Sequence, residues 1–139
     1  MDLSKYIRRK SSQVQIGETL IGGDNPVAVQ SMTNTATADT AASVAQIKRI
    51  ADAGAPIVRL TAQGRKEGEN LENIMRELRA DGYRTALVAD IHFSHKLAVL
   101  AIENGANKVR INPGNIGGER EIAYVADCIK RHQIPLKII

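Results

Sequence analysis

Apolar positions along this chain follow two alternating periods. Short runs at residues 27–31, 57–61, 86–91, 108–111 and 136–139 are rich in Val, Ile, Leu and Ala and predict strands. Between them, apolar residues recur at helical spacing: Val44, Ile47 and Ala51; Leu71, Ile74, Met75 and Leu78; Leu97, Ala98, Ala101 and Ile102; Ile122, Val125, Ala126 and Ile129. Asp39 or Thr40 and Ser94 are suited to cap helix N-termini, and Gly54, Asp81-Gly82 and Gly105 to stop helices. Residues 63–68 read as a loop, as does the glycine-rich stretch 114–118. Residues 1–25 are polar and glycine-bearing and predict a short hairpin or extended cap, with regular architecture starting at Pro26.

Strand and helix thus alternate four times before a fifth strand begins. This order predicts an α/β fold on a parallel sheet. Alternation alone leaves two architectures open. A doubly wound open sheet is complete with five strands, whereas a closed (β/α) TIM-type barrel needs roughly 250 residues. On the second reading, residues 26–139 are the first half of an incomplete barrel that stops inside its fifth strand.

Composition narrows the function classes. The 139 residues are 43 % hydrophobic, 24 % charged and only 3 % aromatic, without Trp. The core must therefore be built from aliphatic side chains, which suits strands buried on both faces. The net charge of +4 permits an anionic partner. Scattered cations and few aromatics for base stacking argue against nucleic acid. One cysteine, Cys128, allows no internal disulfide, which fits a reducing cytoplasm; at a position beside the last helix's apolar stripe it reads as core filler. Arg8, Arg9 and Lys10 are followed by polar residues, not by the apolar run of an export signal, and no stretch is long enough for a membrane span.

The candidate chemistry lies at strand ends. Side chains two apart in a strand share a face. Arg59 with Thr61, Val88 with Asp90 and His92, and Arg110 with Asn112 therefore put polar groups near the C-terminal ends of three successive strands. Both barrels and open α/β sheets bind ligands there. Arg59 and Arg110 offer planar forks for phosphate oxygens. Asp90 and His92 offer an acid/base pair, or a buried anion that orients its neighbours. The alternative is an internal salt-bridge network, with His92 a satisfied, partly buried histidine. Residues 114–118 are either an anion cradle or simply a tight turn. His95, Lys96 and His132 read as surface. Nothing suggests a metal site, and one cysteine cannot hold an iron–sulfur cluster.

Three stretches together resemble a known family. Residues 28–35 (Ala-Val-Gln-Ser-Met-Thr-Asn-Thr), 87–93 (Leu-Val-Ala-Asp-Ile-His-Phe) and 109–115 (Val-Arg-Ile-Asn-Pro-Gly-Asn) are similar to the bacterial 4-hydroxy-3-methylbut-2-enyl diphosphate synthases, as are Arg8-Arg9-Lys10-Ser11 and the Gly-Gly before Pro26. The resemblance implies a TIM-barrel fold. It implies an oxidoreductase of non-mevalonate isoprenoid biosynthesis that reductively opens 2-C-methyl-D-erythritol 2,4-cyclodiphosphate. It also implies a [4Fe–4S] cluster on a separate C-terminal domain, electrons from flavodoxin or ferredoxin, and a homodimer. Carried over by position, Arg59, Arg110 and Asn112 contact the diphosphate, and Asp90 and His92 are polar neighbours of the substrate with a catalytic role. Lys137 stands where the family usually has Arg, keeping the charge but losing the fork. The cluster domain is absent from this sequence, so the chain alone is expected to bind no cluster and to be inactive. Two other functions remain: another phosphate- or pterin-using barrel enzyme resembling dihydropteroate synthase, or a non-catalytic anion-binding remnant.

Overall fold

The computed structural model describes Lys5, Ile7 and residues 9–139. Arg8 of the basic stretch lies outside the described residues. The chain opens with an antiparallel hairpin of β1 (Val14–Ile16) and β2 (Thr19–Ile21), turned at Gly17, whose φ of 58° suits glycine. There follow β3 (Gln30–Met32), α1 (Thr40–Asp52), β4 (Ile57–Ala62), α2 (Arg65–Ala80), β5 (Ala86–Ile91), α3 (His95–Glu103), β6 (Lys108–Ile111), a one-turn α4 (Pro113–Ile116), α5 (Glu119–His132) and β7 (Leu136–Ile138).

The sheet decides between the two architectures. β3, β4, β5, β6 and β7 lie side by side in chain order, every pair parallel. A doubly wound sheet reverses its order and carries helices on both faces. Here α1, α2, α3 and α5 pack in sequence against one another on a single face. Val58, Leu60 and Leu87 meet Val44, Ile47, Ile74 and Leu78 there. Ala89, Ile91, Val109 and Ile111 meet Leu97, Ala98, Val125, Cys128 and Ile129. Each fully buried Leu or Ile stabilises this layer by about 1.5–3 kcal/mol. This is the winding of a barrel wall. On its inward face, Ile16 of the hairpin is fully buried against Ile57, Ala86 and Val88, forming a floor.

Asp39 caps α1, accepting from the Ala42 N–H at 3.0 Å, and Ser94 caps α3. β5, the central strand, is buried at every residue, as a two-sided apolar run predicts. Three local expectations need correction. The first strand is shorter and later than residues 27–31, because pairing begins at Gln30↔Ile57 and the residue before Ile57 is Pro56, which has no N–H to donate. Residues 65–68 are helical, not loop: Gly68 lies inside α2, where an added Cβ would come within 2.8 Å of Leu97 Cδ1. Residues 113–116 form α4 in place of an irregular turn. No helix among the described residues is long and apolar enough to cross a membrane.

Candidate functional site

The inward-facing positions of adjacent strands are in register. Thr61 pairs with Asp90, Asp90 with Arg110 and Arg110 with Lys137. One step below, Met32 pairs with Arg59, Arg59 with Val88 and Val88 with Lys108. The outward positions between them are apolar, so packing against the helices forces these polar side chains to the inside.

Asp90 is the centre of the group and only 3 % exposed. Arg110 Nη1 donates to its Oδ1 at 2.5 Å. Its Oδ2 lies 3.6 Å from Arg59 Nε and 3.6 Å from His92 Nε2. The Arg59 contact is beyond hydrogen-bond length, and Arg59 Nε is buried without a partner. Arg59 Nη2 reaches Met32 Sδ at 3.3 Å, a weak acceptor. The structure therefore brings Arg59, Asp90, His92 and Arg110 together. Asn112 follows two residues after Arg110, but its Oδ1 accepts from the Gly114 N–H at 2.9 Å, leaving its NH2 to donate elsewhere. Lys137 lies exposed beside Arg110 on β7. The Gly118 N–H at the start of α5 is taken by Glu121 Oε2 at 2.8 Å, so residues 114–118 behave as a capped turn and not as an open anion cradle.

Two further residues belong to this wall. Lys108 is half-buried on the same face as Arg110, and burial, with Lys137 and Arg59 nearby, holds its ammonium below the usual range. Strand parity alone would have found it. Thr33 is 7 % exposed, and its backbone N–H donates to Arg59 O at 3.0 Å. Its hydroxyl has no partner, as is also true of Asn115 Oδ1 after β6. No sequence pattern marks such an orphan. Of the buried side-chain atoms lacking partners among the described residues, that of Thr33 follows β3, that of Arg59 lies on the inward face of β4, and that of Asn115 lies in α4 just after β6. Buried polar atoms are normally satisfied, so this distribution fits a face arranged for a polar ligand.

The charges do not balance. On the inward strand positions, Arg59 and Arg110 meet the single carboxylate of Asp90, Lys137 lies beside Arg110, and Lys108 lies one step below towards the hairpin. A purely structural network of salt bridges would pair its cations. This one retains positive charge at the mouth of the wall, suited to an anion carrying more than one negative charge. Cys128 is fully buried, and burial pushes its thiol upward. Among the described residues no group of three His, Cys, Asp or Glu side chains is placed to hold a metal ion.

The comparisons bear on the fold and the family. In solved structures, a dihydropteroate synthase from Xanthomonas albilineans is similar over 89 % of this chain and 48 % of its own, with a TM-score of 0.58 and 16 % identity, a likeness of fold alone. The 4-hydroxy-3-methylbut-2-en-1-yl diphosphate synthase (flavodoxin) of Phocaeicola vulgatus is 60 % identical over 115 residues, 83 % of this chain and 19 % of the relative. The proteins of the same name from Psychromonas ingrahamii and Pseudomonas aeruginosa are each 45 % identical over 135 residues, 97 % of this chain and 35 % of the relative. The chain thus spans only a minor part of the length of these curated relatives. The GcpE TIM-barrel domain matches residues 11–139, and by that match the chain belongs to the GcpE family.

Proposed function

We propose that this chain is the substrate-holding wall of a 4-hydroxy-3-methylbut-2-en-1-yl diphosphate synthase, which reductively opens 2-C-methyl-D-erythritol 2,4-cyclodiphosphate. The observation that carries the reading is the pair of arginines on one buried carboxylate, Arg59 and Arg110 on Asp90, with Lys137 beside Arg110 on the next strand. Arg59 and Arg110 supply charge-assisted donors to the diphosphate, and the Asn112 NH2 and Lys137 add to them at the rim. Asp90 holds Arg110 on the inner face through Nη1 and competes with the incoming anion for its charge. His92, 3.6 Å from Asp90 Oδ2, is positioned to hold a proton beside the bound substrate.

Flavodoxin, carried in the relatives' names, is the electron donor on this reading, with ferredoxin the alternative; the same reading makes the working protein a homodimer in the reducing cytoplasm. A [4Fe–4S] cluster supplies the electron transfer in the proposed enzyme. The residues described here do not fit one: Cys128 is the sole cysteine and is buried in the core. No step of the chemistry is therefore assigned to a cluster on this chain. The pterin-using alternative has only fold similarity behind it, at 16 % identity.

Calorimetric titration of the 139-residue chain with inorganic pyrophosphate tests the reading. Arg110→Ala weakens binding by about 1.5–3 kcal/mol, the range for a hydrogen bond to a charged group. Unchanged affinity removes Arg110 from the site.

A further inference from the structure

The chain contains one phenylalanine, and the fold places it outside the core: Phe93 is 71 % exposed. It is also one of only two non-glycine residues with positive φ among the described residues, at 66°. His92 still belongs to the sheet, its N–H donating to Ala62 O at 3.2 Å, and Ser94 already caps α3. Phe93 makes the whole turn between them. The left-handed conformation explains the turn but not the side chain, since Gly or Asn adopts it more easily. Packing among the described residues does not explain the ring either, since no core cluster takes it up. A large apolar group in a disfavoured backbone conformation beside a charged group points to a use beyond the packing of these residues.

Its position suggests which use. The Phe93 ring lies 5.8 Å, centroid to centroid, from the His92 ring, and His92 Nε2 lies 3.6 Å from Asp90. The loop therefore sets one exposed aromatic ring directly beside the charged group. We infer that Phe93 receives the hydrocarbon part of an organic diphosphate whose charged end is held by Arg59 and Arg110, and so selects against inorganic diphosphate. This rests on the diphosphate reading above and extends it to specificity.

Titration of the 139-residue chain with inorganic pyrophosphate and with 3-methylbut-2-enyl diphosphate separates the two ideas. Wild type binds the organic diphosphate more tightly. Phe93→Ala loses roughly five- to twentyfold of that affinity, the scale of a few buried methylenes against a ring, and keeps its pyrophosphate affinity. Phe93→Gly shows the same selective loss and melts no lower than wild type, because glycine relieves the left-handed turn. Equal wild-type affinity for the two ligands overturns the role of Phe93 and leaves the anion site standing. A parallel loss of both ligands in Phe93→Ala, with a lower melting temperature, assigns Phe93 to structure and overturns the inference. No binding of either ligand by wild type overturns both readings.

Discussion

Asp90 and Arg110 face each other in register across β5 and β6, with Arg110 Nη1 2.5 Å from Asp90 Oδ1. The carboxylate is almost fully buried and the arginine side chain 19 % exposed, so the pair is screened by little water. Asp90→Asn keeps the shape and removes the charge. It leaves Arg110 without its counter-ion in the wall, and stability falls by about 1.5–3 kcal/mol. The same change frees both arginines for an incoming anion. Pyrophosphate therefore binds Asp90→Asn at least as tightly as wild type and restores much of the lost melting temperature. Thermal melts with and without pyrophosphate measure both effects, and an unchanged melt in its absence shows that Asp90 does not hold the wall together.

Thr33 carries the opposite balance. Its hydroxyl is buried without a partner, a desolvation cost on the order of 1–3 kcal/mol. Thr33→Val keeps the branched shape and removes the orphan. The variant melts higher than wild type and binds pyrophosphate more weakly, because the hydroxyl belongs to the polar strand-end region beside Arg59. A lower melting temperature would mean that an ordered water already satisfies the hydroxyl.

The strands were legible where both period and neighbours agreed. β5 and β6 match their apolar runs because each has a partner on both sides. β3 does not, because its extent is set by where β4 offers a partner, and Pro56 precedes the first paired residue. Gly68 read as a loop because glycine usually ends helices; its real role, close approach of α2 to α3, depends on Leu97 and Leu100, distant in sequence. Of the site, Arg59, Asp90, His92 and Arg110 were found by period-two alternation, which survives folding unchanged. Lys108 obeys the same alternation and shares the row of Arg59 and Val88, but as the first residue of its strand it did not stand out as part of a strand end. Thr33 was not legible at all, since an unpaired hydroxyl is a property of contacts.

Ile16 tests whether the hairpin is a floor or an appendage. It is fully buried on Ile57, Ala86 and Val88, beneath the charged rows of the same strands. Ile16→Ala costs about 2–5 kcal/mol for a buried large-to-small change, a large share of a typical total of roughly 5–15. Denaturant unfolding measures it. A loss near zero would show that the hairpin contributes nothing to the wall.

Lys108 provides a pH signature. Burial first, then Lys137 and Arg59, lower its folded-state pKa below the ordinary 10.5. Below the folded value both states keep the proton, and the folded chain bears the full cost of a cation among cations. As pH rises from the folded value towards 10.5, the folded state releases the proton first and that cost fades. The contribution of Lys108 to stability therefore rises with pH in that window. Lys108→Met retains the apolar stem and removes the charge. It is more stable than wild type near neutral pH, and the gap closes as pH approaches 10.5. Urea midpoints of the two chains across that range measure the gap. A gap that stays constant with pH attributes the difference to packing of the stem and not to the charge.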